Sequence, residues 1–170
     1  MPNSVALPLI GNTSRGVDFI STPLWICIGR TTPWSDENNP PIADPNTTNI
    51  TEPIIYKRCE VQSFVVEDPQ GEYIVSGVRY RPITIVQARS GLATTILIKA
   101  TILDNDVGDE VTFRQVGLYS KLLPTSGNES KTKLFPNEVQ DPGYLEWFAN
   151  REPIHVQPNQ HEIFYIVLNF

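Results

Sequence analysis

Cysteine is almost missing from this 170-residue chain, which has only Cys27 and Cys59. Two thiols in separate strand-like stretches make neither a disulfide framework nor a metal site, so both are expected to be buried and free. Histidine is as scarce, with His155 and His161 alone. A nucleophilic triad needs a histidine set beside an acid and a serine or cysteine elbow, and neither histidine has such a neighbour in sequence. Both flank the Pro158 turn, where a hairpin would bring them face to face, but the remaining ligands of a zinc site are lacking. Gly71, Gly77, Gly91, Gly108 and Gly117 are scattered singly, so no loop is present that would cradle a phosphate. No enzyme class, cofactor or metal is expected from this inventory.

Positive charge is also short. Thirteen Lys and Arg stand against nineteen Asp and Glu, a net charge of −6, and the basic residues gather no more densely than Lys57-Arg58, Arg79 and Arg81. Contacts to a phosphate backbone need clustered cations, so nucleic acid is excluded as an expected partner. No window approaches the roughly 18 apolar residues that cross a bilayer, and neither end has a basic stretch leading into an apolar one. A soluble chain with no membrane partner is expected.

Acidic residues concentrate in "DNDVGDE", with Asp104, Asp106, Asp109 and Glu110. The stretch has the composition of a calcium loop without its length or its terminal bidentate Glu, and it reads as a solvated turn. Asp36 and Glu37 are adjacent in extended chain and point apart, which rules out a paired-carboxylate mechanism there. Trp25, Trp34 and Trp147 would serve a sugar only if exposed as a platform; burial in a core or an interface is the expected use.

What the chain does have is proline, fifteen residues of it, set between short strand-like runs. Leu24, Ile26 and Ile28 alternate with Trp25 and Cys27, the pattern of a strand covered on both sides. "YKRCEVQSFVVE", "YIVSGVRY" leading into "ITIVQA", "ATTILIKATIL", "VTFRQVGLYSKLL", "PIHV" and "HEIFYIVLNF" read as further strands, and "GYLEWFANRE" fits a strand or a helical turn. Eight or so strands with turns between them, and no convincing amphipathic helix, predict a mainly β fold, an antiparallel β-sandwich spanning residues 23–170. Residues 1–22 lack periodicity and are expected as an extended N-terminal arm. Residues 124–143, rich in Pro, Ser, Gly and Asn, are expected as a projecting loop.

Residues 31–53 have Pro33, Pro40, Pro41, Pro45 and Pro53 and almost no large aliphatic side chain, so the segment predicts a stiff extended arm with turns. An arm pre-stiffened by proline loses less entropy when it docks on a neighbour. Trp34 is the expected interface anchor, with Asp36, Asn38 and Asn39 as polar contacts. The lead-in and the arm are expected to lie on other chains rather than on their own sandwich.

Three stretches in order, "IGRTTPWSDENNPP" (28–41), "FRQVGLYS" (113–120) and "NREPIHVQPNQHEIFYIVLNF" (150–170), resemble structural proteins of the contractile tail of bacteriophages, in particular baseplate wedge subunits. The resemblance implies a structural virion protein, made in the bacterial cytoplasm and built into the tail baseplate. Its implied partners are other tail and baseplate proteins and further copies of itself. It implies a contact segment formed by Gly29, Arg30, Thr31, Thr32, Pro33, Trp34, Ser35, Asp36, Glu37, Asn38, Asn39, Pro40 and Pro41. A tail-fibre adaptor and a carbohydrate-binding β-sandwich are the alternative readings.

Overall fold

The computed structural model describes residues 6–108 and 110–170. A helix, α1 (Leu9–Ile20), precedes the strands β1 (Trp25–Gly29), β2 (Ile55–Arg58), β3 (Val61–Glu67), β4 (Tyr73–Val75) and β5 (Val78–Pro82). A second helix, α2 (Ile85–Gly91), leads to β6 (Thr95–Leu103), a single helical turn α3 (Asp104–Val107) and β7 (Val111–Ser120). The short strands β8 (Leu123–Pro124), β9 (Lys133–Leu134) and β10 (Val139–Asp141) follow, then the long strands β11 (Tyr144–Val156) and β12 (His161–Asn169). The chain is mainly β, of the antiparallel sandwich class expected from sequence, with two five-stranded sheets ordered β11-β7-β1-β2-β9 and β12-β6-β3-β5-β4. By compactness it divides into two units.

One unit consists of the residues up to Thr22, Val61–Lys99 and Tyr165–Phe170. Here the expected extended lead-in is instead helical over Leu9–Ile20; residues 1–5 of that segment lie outside the described residues. Gly11, Asn12, Thr13 and Gly16 are poor helix formers, so local propensity gives no warning of a helix. Tertiary contacts hold it. Gly16 sits so close to β3 and β6 that a Cβ there would lie 2.8 Å from Phe64 Cζ and 3.0 Å from Ile96 Cδ1. Thr13 is fully buried, and its hydroxyl donates to the Ala93 carbonyl at 2.8 Å. Gln62 Nε2 donates to the carbonyls of Ile20 and Thr22 at the helix end.

Two further corrections fall in this unit. "YIVSGVRY" is not one strand but the hairpin β4–β5, reversed at Ser76 and Gly77, both of which take positive φ. "ITIVQA" is not a strand: it opens helix α2, because Thr84 forms a reciprocal capping box with Gln87 that outweighs the β-branched run.

The other unit, Pro23–Glu60 and Ala100–Phe164, is built on β1. β1 is the middle strand of its sheet and all five of its residues are buried, as its double-faced apolar pattern predicts. β2 and β7 flank it in antiparallel register, with Cys27 opposite Tyr56 on one side and Gly117 on the other. One face of the sheet carries a cluster of Trp25, Cys27, Ile50, Tyr56, Tyr119, Leu122 and Leu134. The rings of Tyr56 and Tyr119 meet edge to face at 5.5 Å.

Residues 124–143 are not the loose projection expected. β8 pairs with β10, β9 pairs with β2, and Leu134 is fully buried in the cluster, so the excursion is folded back onto the sheet. "GYLEWFANRE" resolves as part of β11, paired with β7 across two irregularities in register.

Candidate functional site

Several of the chemistry-bearing residues singled out by sequence are occupied in structural roles. Cys27 and Cys59 are buried, and burial pushes both thiols up, that of Cys59 to about 12, so neither is a thiolate at neutral pH. His155 and His161 do not face each other across a hairpin, because β11 and β12 belong to different sheets. His155 Nδ1 instead meets the Thr112 hydroxyl at 2.7 Å. In the acidic stretch, Asp106 is buried, ion-paired with Lys57 at 2.7 Å, and accepts from the Leu103 amide. Asp104 accepts from the Asn159 amide at 2.7 Å, which holds its carboxyl below the usual range. Asp109 lies outside the described residues. Among the described residues no group of three or more His, Cys, Asp or Glu is placed to hold a metal ion. No helix among them is long and apolar enough to cross a membrane.

The proline arm is where the unit shows a built feature. Its two feet are joined: the Arg30 amide donates to the Thr51 carbonyl at 2.6 Å and the Ile54 amide to the Ile28 carbonyl at 2.9 Å. Arg30 and Glu52, one at each foot, hold left-handed backbone with φ of 56° and 48°. Neither is glycine, so each conformation persists against a steric cost that side-chain contacts offset. The Glu52 carboxylate accepts from both Thr31 and Thr32. The Arg30 guanidinium stacks over the Trp34 ring at 3.7 Å.

Between its feet the arm is fastened to β7 and β11. Arg114, a buried cation of β7, grips the Glu37 carboxylate through both Nε and Nη2 and donates from Nη1 to the Thr31 carbonyl at 2.6 Å. A bidentate pair of this kind fixes both distance and plane. Trp34 Nε1 donates to the Arg151 carbonyl of β11 at 2.8 Å, and the indole is only 9% exposed. A relay then crosses the sheet edge: the Thr51 amide donates to Gln115, Gln115 to Asn150, and Asn150 to the Pro41 carbonyl. Ile50 completes the attachment by entering the aromatic cluster, where its amide donates to the Tyr119 hydroxyl at 2.8 Å.

This geometry corrects the expectation that the arm does not pack on its own sandwich. Its core-facing side belongs to its own unit, and Trp34 and Ile50 are the reason. Of the thirteen residues expected as contacts, the structure buries Gly29 and Trp34 and half-buries Arg30, Glu37 and Pro40. Thr31, Thr32, Pro33, Ser35, Asp36, Asn38, Asn39 and Pro41 remain exposed on the outer side. Arg114, Gln115, Asn150 and Arg151, which position that row, were missed by sequence reasoning. The one available signal was Arg114, a cation inside an otherwise apolar strand that demands a carboxylate partner.

The fastening is sensitive to acid. The Arg114 guanidinium holds the Glu37 carboxyl below its ordinary 4.5, and the Thr32 amide and hydroxyl do the same for Glu52. Groups lowered in the folded state contribute stability above their unfolded values and lose it as pH falls through the folded ones. The arm is therefore expected to stay seated above pH 4.5 and to loosen progressively below it. Trp34 fluorescence, obtained as the difference between the wild type and Trp34→Phe, reads this. An emission that stays constant in acid until the whole chain unfolds would show that the carboxylates do not hold the arm.

Comparison with known proteins agrees in one direction. The profile of the family described as "Baseplate wedge 3 tail fiber network component" matches residues 8–170. Virion protein 3 of Enterococcus phage phiEF24C is 36% identical over 138 residues, covering 76% of this chain and 74% of that protein.

Proposed function

Because the chain belongs to the baseplate wedge 3 tail fiber network component family, we propose that it is a rigid connector that joins the baseplate wedge to the fibre network. The coarser role is a structural one in the virion tail. The finer assignment is that the outer row of the proline arm makes the contacts to neighbouring tail proteins. One observation carries it: the arm is bound to its own sheet along one side and leaves an ordered, exposed, polar and proline-rich row along the other. A row held in place before contact loses little conformational entropy on docking. Thr31, Asp36, Asn38 and Asn39 supply hydrogen-bonding groups, and Pro33 and Pro41 supply stiff apolar surface.

The carbohydrate-binding alternative has lost its motivating feature. Trp25 and Trp34 are buried and Trp147 is half-buried, so the tryptophans form no exposed platform.

Charge reversal on the outer row tests the connector role. Phage grown on a host that supplies Asn38→Arg, Asn39→Arg protein in place of the wild type should yield tails lacking this chain and its fibres. The purified variant should keep its melting temperature, because both residues are exposed. Virions with a normal complement of the variant chain would overturn the assignment of the arm's outer row.

A further inference from the structure

Ile42 is 97% exposed, more than any other large apolar side chain of the described residues. The arm has two isoleucines, and its other one, Ile50, is buried. Ile42 nevertheless sits at a fixed place. Pro40 and Pro41 precede it, the Pro41 carbonyl accepts from Asn150 Nδ2 at 2.9 Å, and Asp44 closes the turn behind it by accepting from the Asn46 amide at 2.9 Å. A bare apolar knob on a stiffened support costs solvation in the isolated chain and is well prepared to enter a recess.

A recess adjoins Pro40, at the root of the same turn. A depression of about 410 Å³ is lined by Pro40, Asn150, Arg151, Glu152, Pro153 and Ile154. Three of these are apolar. Arg151 and Glu152 are exposed, of opposite sign, and neither ion-pairs with another described residue. The same Asn150 that fixes the root of the knob lines the recess, so knob and recess share one small face.

We propose that this face is a two-fold interface between two copies of the chain, in which each Ile42 enters the other copy's recess and each Arg151 meets the other copy's Glu152. A two-fold contact must be complementary to itself, and a knob beside its own socket with both charge signs on one rim satisfies that requirement. A foreign partner would need only one half of each pair to be present here. The copies do not join by extending the sheet. β11 is an edge strand, but its register is irregular between Asn150 and Ile154, Pro153 lacks an N–H, and the Trp34 indole already occupies the Arg151 carbonyl.

The inference deepens the connector role, since it makes the arm's distal part the place where two connectors meet. Sedimentation velocity on the full chain over a range of concentrations is the test. The expected result is a species of twice the 19.1 kDa chain mass that Ile42→Asp abolishes. Arg151→Glu and Glu152→Arg each weaken it, and the double exchange restores it because the swapped charges again face opposite signs. Circular dichroism melting confirms that each variant stays folded.

A chain that remains at the single-chain mass throughout overturns the two-fold interface, as does a dimer indifferent to Ile42→Asp or to the charge exchange. The connector reading is scored separately by incorporation into virions. Monomeric protein that still needs its outer arm row to enter tails removes only the pairing. Paired protein whose outer-row variants enter tails normally removes only the connector assignment.

Discussion

Trp34→Ala is expected to lower the stability of the chain by about 3–5 kcal/mol, the usual cost of truncating a buried tryptophan. The indole is nine-tenths removed from water, its N–H satisfies the Arg151 carbonyl at 2.8 Å, and the Arg30 guanidinium lies on its face at 3.7 Å. Without the ring, Arg30 loses the contact that offsets its left-handed backbone, and the Trp34 amide loses its ordered place beside the Glu37 carboxylate. Urea denaturation followed by circular dichroism measures the loss. Limited proteolysis should place new cleavage within residues 31–49, with β1 and β7 still protected. Trp34→Phe separates packing from hydrogen bonding. It keeps most of the apolar volume and surrenders one hydrogen bond, so the cost should be nearer about 1 kcal/mol. A Trp34→Ala cost as small as that would mean the indole contributes little to holding the arm.

That experiment also separates two roles that sequence cannot tell apart. A tryptophan in a polar, proline-rich segment reads as an anchor for a neighbour, because nothing adjacent in sequence buries it. Its actual partner, Arg151, lies 117 residues later, and the partner of Glu37 lies 77 residues later. No local period encodes such pairings. What local pattern does encode was legible: the double-faced apolar run of β1, the alternation of β6 and the long run of β7 all became strands, because side-chain period alone decides which face meets a core. The helix α1 was illegible for the opposite reason. Gly16 lowers helix propensity, yet it is the residue that lets the helix approach Phe64 and Ile96. For α2 the signal was present and outweighed, since Thr84 and Gln87 spell a capping box ahead of a β-branched pair that reads as strand. The arm divides in the same way. Its stiffness follows from proline content, while the side on which it is fastened depends on buried Arg114 and on space cleared in the sheet.

That cleared space gives the second large effect. Ile50 reaches the aromatic cluster only because Gly29 and Gly117 leave room beneath it. A Cβ on Gly117 would lie 2.7 Å from Ile50 Cγ1 and 2.8 Å from Leu145 Cδ1, and one on Gly29 would lie 2.5 Å from Ile50 Cγ2 and 2.6 Å from the Thr51 carbonyl oxygen. Gly117→Ala is therefore expected to destabilise by about 1–3 kcal/mol through overpacking, although alanine suits a strand better than glycine. Ile50→Ala should cost about 2–5 kcal/mol as a cavity opens beside Trp25, Tyr56 and Tyr119. Combined, the two should cost less than their sum, because the new methyl enters space that the missing side chain vacates. A coupling of about 1 kcal/mol or more in that direction, from urea midpoints of the four proteins, is the expected result. Additive losses would mean that Ile50 does not sit over Gly117. Gly29→Ala should resist the same rescue, since its Cβ also meets the Thr51 carbonyl, a backbone atom that no side-chain truncation can move. The contrast between the two glycines thus reports whether the arm's far foot is fixed by packing at Gly117 and by backbone contact at Gly29, which is the arrangement that keeps its outer row in one place.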